Sequence, residues 1–404
     1  MSKEIESRMS DDSGMSINIG LVGPSGSGKT SLLTAIFLET RDQLERSKNA
    51  MGIWCSDDPT KNALERAKAE FQACVCSPDG IFEVPQMAGS DKITNYRFSF
   101  ILSADPSTSG EETSPQKVKI DIMDYPGGYV GKEAFAEQVM PHLIKSVALL
   151  VPVSADMLVA WKESQGSSFP RMKIKNTEAY KALAVDSVCK IARDWLQAKS
   201  DRNEPGVLIF VPIKCEKWFS DNGGLIDDSK KIVHTVSELY VDDAMKKIAA
   251  KASKSISILC FPVDTYGIVE FQRGHLEKRP NGEYNLKSQF QRRLGMGNVI
   301  RPCNASEVLI EVVRAYMEDY ASRLDISINK LKQILDNRSW LYDTMKTFLE
   351  KIWIRDPQKK QLFEQLKQYD CTFKALRDLE TTYQKRSQRQ FIMVYGKAGN
   401  NKTE

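Results

Sequence analysis

A short stretch near the amino end of the chain has the residue types and spacing that hold phosphate. The sequence GLVGPSGSGKTSLL contains the pattern Gly23-x-x-x-x-Gly28-Lys29-Thr30. Glycines let the backbone curl until successive N–H groups face an anion, and the start of a helix adds a favourable dipole. Lys29 supplies a mobile cation, and the Thr30 hydroxyl is a hard oxygen ligand of the kind Mg²⁺ prefers. We predict that a nucleoside triphosphate and Mg²⁺ bind here, with contacts from Gly23, Ser25, Gly26, Ser27, Gly28, Lys29, Thr30 and Ser31.

A second stretch, VKIDIMDYPGG, places a carboxylate where a strand is expected to end. Asp124 can hold Mg²⁺ through a water molecule, and the Gly127 N–H can approach a γ-phosphate. The same residues alone would describe an ordinary Asp-Tyr-Pro-Gly turn. Downstream of a phosphate-binding loop they favour the functional interpretation. The catalytic candidates are therefore Lys29, Thr30, Asp124 and Gly127.

A third stretch, GVLIFVPIKCEKW, brings Lys214 and Glu216 to the carboxyl end of a buried strand. Open α/β sheets bind ligands at that edge. The aliphatic stem of Lys214 can cover a purine face, and the Glu216 carboxylate can accept hydrogen bonds from guanine N1–H and N2–H₂, a pair of donors that adenine lacks. The loop after the last strand, Val263-Asp264-Thr265, could close over the base.

The segments between these motifs predict the elements that position them. Short apolar runs alternate with helical patterns, which favours a mostly parallel sheet with helices on both faces. We expect strands at 17–22, 93–102, 117–123, 146–154, 206–213 and 255–263, helices at 30–46, 57–73, 132–144 and 228–252, and a loop at 77–91. The second and third strands should form an antiparallel hairpin, and Asn281-Gly282 predicts another.

The carboxyl-terminal part of the chain has a different character. From about residue 306, apolar residues recur at helical spacing, which predicts two or three antiparallel helices broken near Asp356-Pro357. Their apolar stripe indicates an intramolecular core; a partner-binding groove or a coiled-coil dimer is the alternative. The predicted organisation is a flexible 1–14, an α/β domain at 15–300 with an insertion at about 47–90, a helical domain at 301–390, and a flexible tail at 391–404.

The composition excludes several classes of protein. Of 404 residues, 41% are hydrophobic and 27% charged, which is typical of soluble globular proteins. A net charge of +4 gives no reason to expect specific nucleic-acid binding. The sequence has no signal-peptide pattern and no apolar run long enough to span a membrane, so we expect a cytoplasmic protein. Eight cysteines and three histidines lack metal-site spacing and are interpreted as structural.

Taken together, the Gly-rich loop, Asp124-x-x-Gly127 and Lys214-x-Glu216 resemble the GTPases of the translation-factor and Ras-like (TRAFAC) superclass. Within it, the chain is similar to the bacterial double-GTPase group. The resemblance covers residues 15–275 and does not extend to the helical tail. It implies a P-loop NTPase three-layer α/β sandwich, with a mostly parallel sheet and one antiparallel hairpin. The helical periodicity after residue 306 adds a C-terminal helical appendage to this predicted fold. The resemblance also implies GTP or GDP with Mg²⁺, with ATP as the alternative.

The chain departs from the superclass pattern at positions that affect base recognition and hydrolysis. The base-reading motif usually begins with Asn or Thr and ends in Asp, whereas this chain has Ile213 and Glu216, which weakens the expected guanine preference. Gly128 stands where a glutamine often orients the attacking water, so we expect either slow intrinsic hydrolysis or a catalytic residue supplied by another part of the chain or by a partner. The superclass also has a Mg²⁺-binding threonine in its first switch, for which Thr94 and Thr60 are the candidates.

These observations predict a GTP-dependent molecular switch with a low intrinsic rate of hydrolysis. The C-terminal helical region would read out the change and bind a protein partner. One alternative is a P-loop ATPase, although the chain has no LSGGQ-like signature of the ABC type. The other is a nucleotide-bound scaffold that does not hydrolyse its nucleotide. The absence of a glutamine at Gly128 favours this alternative, whereas the presence of Lys29, Thr30 and Asp124 together disfavours it.

Overall fold

The computed structural model describes residues 15–46, 52–76, 80–83, 93–102, 116–130, 139–164, 177–216, 227–252, 256–278, 284–293, 295–323 and 392–395. The strands are β1 Met15–Leu21, β2 Gly52–Cys55, β3 Ile81–Glu83, β4 Thr94–Leu102, β5 Gln116–Asp124, β6 Ala148–Ser154, β7 Gly206–Ile213, β8 Ile256–Cys260, β9 Val269–Lys278, β10 Tyr284–Arg292 and β11 Ile392–Tyr395. The helices are α1 Lys29–Arg46, α2 Asp58–Val75, α3 Ala155–Ser164, α4 Glu178–Ala182, α5 Val185–Asp201, α6 Asp227–Tyr240, α7 Asp243–Lys251 and α8 Ala305–Arg323.

The larger sheet has the strand order β11-β8-β7-β6-β1-β5-β4-β2. Its five central strands run parallel, and β4, β2 and β11 are antiparallel to their neighbours. Every residue of β6 and β7 is buried, as expected for parallel strands that are covered on both faces. The predicted α/β class, the mostly parallel sheet and the β4–β5 hairpin are confirmed.

Helices cover both faces of this sheet. On one face, α1 and α8 contribute Leu32, Leu33, Val308 and Val312 to a core shared with β1, β4 and β5. On the other face, α5, α6 and α7 pack through residues such as Trp195, Val236 and Met245. The result is a three-layer arrangement in which the carboxyl ends of the parallel strands form one edge.

A smaller antiparallel sheet has the order β3-β10-β9, and β9–β10 is the predicted second hairpin. Phe71, Phe82, Tyr266 and Phe290 form its aromatic core. The prediction of a continuous loop over 77–91 is wrong at β3, which pairs with β10. The stretch is three residues long and its partner lies some two hundred residues away in sequence, so local periodicity could not reveal it.

Two further expectations need correction. The helix predicted over 228–252 is two helices, because Asp242 accepts a hydrogen bond from the Met245 N–H at 2.9 Å and begins α7. Within the predicted flexible tail, β11 forms an antiparallel edge strand against β8. An isolated apolar tetrapeptide is not a strand by itself and becomes one only when an existing edge supplies hydrogen bonds.

Several predicted features lie outside the described residues. They are the amino terminus, the tip of the β4–β5 hairpin, the Asn281-Gly282 turn, the first part of the 132–144 helix, and residues 324–390 of the predicted helical domain. That domain therefore stays a prediction beyond α8. None of the described helices is both long and apolar enough to span a membrane.

The start of α8 is fixed by a carboxylate from α1. Glu39 is buried and accepts three backbone hydrogen bonds, from Asn304 at 3.1 Å, Ala305 at 2.5 Å and Ser306 at 2.9 Å. The first N–H groups of a helix have no partner within the helix, and a negative charge there also interacts favourably with the helix dipole. Glu39 thus joins the helix of the phosphate-binding loop to the last described helix.

We expect Glu39→Gln to lower the free energy of unfolding by about 1–3 kcal/mol, because it replaces a buried charged acceptor with a neutral one that has a single acceptor oxygen. Urea denaturation measures this change. Glu65→Gln on the exposed side of α2 is the matched control and should leave the midpoint almost unchanged. Equal unfolding free energies for the two variants would show that Glu39 does not hold α8.

Candidate nucleotide-binding site

The register between β1 and β5 brings the first two motifs together. The strands are parallel, and Leu21 pairs with Asp124, so the Gly-rich loop leaves the sheet beside that carboxylate. The loop then curls through Gly26 and Gly28, whose φ angles of 77° and 85° favour glycine. Lys29 opens α1 directly afterwards. The predicted strand-loop-helix context of the motif is present.

At two loop glycines, neighbouring side chains lie close to where a Cβ would stand. A Cβ on Gly23 would lie 2.6 Å from the Ser27 hydroxyl oxygen. A Cβ on Gly28 would lie 2.1 Å from Cδ1 of Ile213. Ile213 is one of the two residues that depart from the base-reading motif, and its apolar side chain packs against the phosphate-binding loop.

Lys29 and Asp124 face each other in a largely buried position. The Lys29 ammonium donates to the Gly23 carbonyl at 3.1 Å, and its nitrogen lies 3.9 Å from Asp124 Oδ1. Burial lowers the pKa of Lys29, although Asp124 opposes that shift. Burial raises the pKa of Asp124 to about 6, and Lys29 opposes that shift in turn. Asp124 Oδ1 accepts no hydrogen bond from the described residues.

The Gly127 backbone lies directly against the phosphate-binding loop. A Cβ on Gly127 would stand 2.1 Å from the Ser25 nitrogen and 2.4 Å from the Pro24 carbonyl carbon. Such distances can be relieved only if the two backbones separate. Gly128 differs, because it is exposed and a Cβ there would meet nothing within 4 Å.

The two threonine candidates occupy different environments. In the β4–β5 ladder Thr94 pairs with Asp124, so their side chains are neighbours on one face of the sheet. Thr60 lies in the first turn of α2, where its hydroxyl accepts the Arg97 N–H at 2.9 Å and its own N–H donates to Asp57 at 2.8 Å. Of the two, the structure brings Thr94 to the Lys29–Asp124 pair and uses Thr60 to join α2 to β4.

These residues suit a nucleotide-bound Mg²⁺ better than a metal held by protein alone. Among the described residues, no group of three or more His, Cys, Asp or Glu side chains could hold an ion. Mg²⁺ bound with phosphates takes only one or two protein ligands and keeps several waters. The Thr30 hydroxyl and the buried Asp124 Oδ1, which accepts no hydrogen bond from the described residues, match that requirement.

Lys214 and Glu216 follow β7 at the same edge of the sheet. Lys214 has a φ of 58°, its N–H donates to the Thr265 hydroxyl at 3.1 Å, and its ammonium lies 3.5 Å from Asp156 Oδ2. Glu216 is fully buried, and neither of its oxygens accepts a hydrogen bond within the described part of the chain. Burial raises the pKa of Glu216 well above its usual range, and nearby Asp264 raises it further. Contact with a base would require this carboxyl group to be uncovered.

Sequence reasoning missed the other members of this cluster. Asp156 accepts hydrogen bonds from the hydroxyls of Ser154 and Ser288 and from the Met157 N–H at 3.0 Å. In the sequence, only the position of Asp156 at the end of an apolar strand pattern could have identified it as a functional residue, because it belongs to no motif.

Asp264 lies in the loop that was expected to close over the base. Its carboxylate accepts the Gly267 N–H at 2.7 Å and lies 3.5 Å from a nitrogen of Arg293. The Val263–Thr265 loop therefore packs beside Lys214. Whether it also contacts a base stays a prediction.

No protein-family model and no curated protein matches the chain. Among solved structures, it is similar to the GTPase-like domain of S. cerevisiae Ski7 bound to GDP and inorganic phosphate, with 13% identity and a TM-score of 0.29 over 62% of this chain and 43% of that one. It is also similar to sup35 complexed with GMPPNP, with 14% identity and a TM-score of 0.24 over 66% and 42%. The chain thus spans less than half of either structure, and the interpretation depends on the geometry of the site.

We expect Asp124→Asn to increase the free energy of unfolding by about 2–3 kcal/mol at pH 7.5, because ionising a carboxyl whose pKa is raised to about 6 opposes folding. The pKa is higher in the folded chain, so this group destabilises the fold progressively as the pH rises from about 4 to 6. Chemical denaturation at pH 4 and pH 7.5 measures the difference. A gain of the same size at both values would contradict it.

Gly127→Ala should be destabilising by about 1–3 kcal/mol, because the added methyl group forces the Gly127 segment away from Ser25. Gly128→Ala is the matched control one residue away, where space is open. Thermal unfolding of the two variants makes the comparison. If Gly127→Ala unfolds no earlier than Gly128→Ala, the two loops are not held in contact.

Proposed function

We propose that the chain is a nucleotide-dependent molecular switch that binds GTP with Mg²⁺ and hydrolyses it slowly. The observation that carries the proposal is the meeting of three elements at one edge of the sheet. The Gly-rich loop ends in Lys29, the Lys29 ammonium faces Asp124, and Gly127 lies against the loop backbone. A cation, a carboxylate and two backbone segments with N–H groups are the parts that phosphoryl binding requires.

Different residues of the chain would contact the phosphates and the Mg²⁺ ion. The backbone N–H groups from Gly23 to Thr30 surround the phosphates, and Lys29 leaves the Gly23 carbonyl to contact phosphate oxygens. Thr30 and Asp124 would hold Mg²⁺, the latter through water, and Thr94 is the further candidate ligand. When bound, the ion neutralises charge on the phosphate oxygens.

The local environment of Gly128 supports slow hydrolysis. Gly128 has no side chain to orient an attacking water, and no described atom lies near its Cβ direction. A catalytic group would have to come from another part of the chain or from a partner. The same feature supports the alternative of an idle, nucleotide-bound scaffold.

A conformational change would arise where Gly127 meets Ser25. A γ-phosphate in the loop would contact the Gly127 N–H, and its loss would release the segments at 124–135 and 84–94. Of these two segments, the structure describes only 124–130 and 93–94. Glu39 connects α1 to α8, which supplies a route to the C-terminal helices and to a protein partner that binds them. The narrower similarity to the bacterial double-GTPase group stays part of this proposal.

The protonation state of the buried Glu216 carboxyl group is the reason that ATP remains a second candidate ligand. Three buried carboxyl groups, Asp156, Glu216 and Asp264, share two cations, Lys214 and Arg293. No donor among the described residues faces the Glu216 carboxyl, and burial raises its pKa well above its usual range, which favours a proton there. A neutral carboxyl offers one donor and one acceptor, a pattern that suits either purine, whereas an ionised one would select guanine.

The direct test is titration of the purified chain with fluorescent GTP, GDP and ATP analogues. We expect GTP to displace the label at lower concentration than ATP, and Lys29→Ala to lose at least tenfold in affinity for both. Unaltered affinities in Lys29→Ala would contradict the phosphate-site assignment. Equal or tighter binding of ATP would contradict the GTPase proposal and favour the P-loop ATPase alternative.

Phosphate release under multiple turnover separates the switch from the scaffold. We expect a slow release that Lys29→Ala abolishes. A rate in the unaltered chain equal to that of Lys29→Ala, with tight GTP binding, would favour the idle scaffold.

A further inference from the structure

Hydrogen-bond donors converge on a buried carboxylate at the amino end of α3. One oxygen of Asp156 accepts the Ser154 hydroxyl and the Met157 N–H, the latter at 3.0 Å. The other oxygen accepts the Ser288 hydroxyl and lies 3.5 Å from the Lys214 ammonium. The Asp156 side chain has no exposed surface. Donors on both oxygens suit an ionised carboxylate, which can only accept, so the arrangement holds a negative charge beside Lys214.

The Lys214 side chain is fixed both where it starts and where it ends. At the backbone, its N–H donates to the Thr265 hydroxyl at 3.1 Å. Its φ of 58° is a left-handed conformation that a lysine keeps only where its surroundings impose it. At the other end, the ammonium is held by Asp156. The aliphatic stem between these two points is therefore placed before any ligand binds, and 13% of the side chain remains exposed.

We propose that Asp156 is a positioning residue for base binding, which anchors the Lys214 ammonium so that the lysine stem lies along the face of the purine. This inference rests on the proposed function and adds a residue outside the motifs. A lysine side chain is flexible, and holding it in one conformation beforehand removes an entropic cost from binding. Because Ser288 belongs to β10, the smaller sheet helps to hold this contact.

The test compares a ligand that has a base with one that lacks it, using the full chain. A fluorescent GTP analogue is titrated in the presence of Mg²⁺, and inorganic tripolyphosphate is then used to displace it. For Asp156→Asn we expect the affinity for the GTP analogue to fall about fivefold, because the released lysine stem no longer covers the base. The affinity for tripolyphosphate should stay within about twofold, since its contacts lie in the Gly-rich loop. A merely structural role of Asp156 would weaken both ligands alike.

Two further variants test the same contact from the other side. Lys214→Met keeps an apolar stem but removes the ammonium that Asp156 holds, so it should lose affinity for the GTP analogue to a similar extent. The double variant of Asp156→Asn with Lys214→Met leaves no buried charge of this pair without its partner, which protects folding. It should lose no more affinity than either single variant, because the two residues act as one unit.

Asp186→Asn is the matched control for the loss of a carboxylate. Asp186 lies in the first turn of α5 and accepts the Tyr180 hydroxyl at 2.7 Å. It belongs to neither the phosphate-binding loop nor the cluster around Lys214. We expect both affinities of Asp186→Asn to equal those of the unaltered chain.

The possible results separate the inference from the proposed function. An unchanged affinity for the GTP analogue in Asp156→Asn or Lys214→Met, an equal loss for tripolyphosphate, or additive losses in the double variant would overturn the inference alone. If the single variants do not fold, the double variant decides by the same comparison of the two ligands. Failure of the unaltered chain to bind the GTP analogue would overturn the proposed function and the inference with it.

Discussion

The pairing of Leu21 with Asp124 determines the geometry of the whole site. Because β1 and β5 are parallel and end together, the loop after one strand meets the loop after the other, and Gly127 comes to lie against Ser25. A shift of one residue in this register would turn Asp124 to the opposite face of the sheet and away from Lys29. The buried apolar residues of β1 and β5 resist that shift, since it would expose them.

The site is maintained at a cost to stability. Lys29 and Asp124 are both largely buried, and burial shifts the pKa of each toward its neutral form. Farther along the same edge, Glu216 is buried without a hydrogen-bond donor among the described residues. Apolar residues would stabilise these positions better, so the retained polar groups are best explained by a ligand that they bind or by a neighbour that they position.

The sequence predicts those parts of the molecule whose signal is local. The loop glycines, the apolar strands and the start of α2 each depend on neighbours in the chain, and the structure contains all of them. β3 and β11 were missed because each is a strand only when paired with a distant edge. Asp156 was missed for a related reason: its partner Ser288 comes from β10, and no spacing along the chain encodes such a contact.

The helix that follows the loop connects the site to the rest of the chain. Lys29 begins α1, and Glu39 lies ten residues later, a separation of about 15 Å along a helix. A helix of this kind moves as a rigid unit, so displacement of its first turn must reach Glu39. There the carboxylate holds the Asn304, Ala305 and Ser306 N–H groups of α8. Any nucleotide-driven movement of the loop that displaces α1 would therefore change the position of α8 or break the hydrogen bonds that fix it.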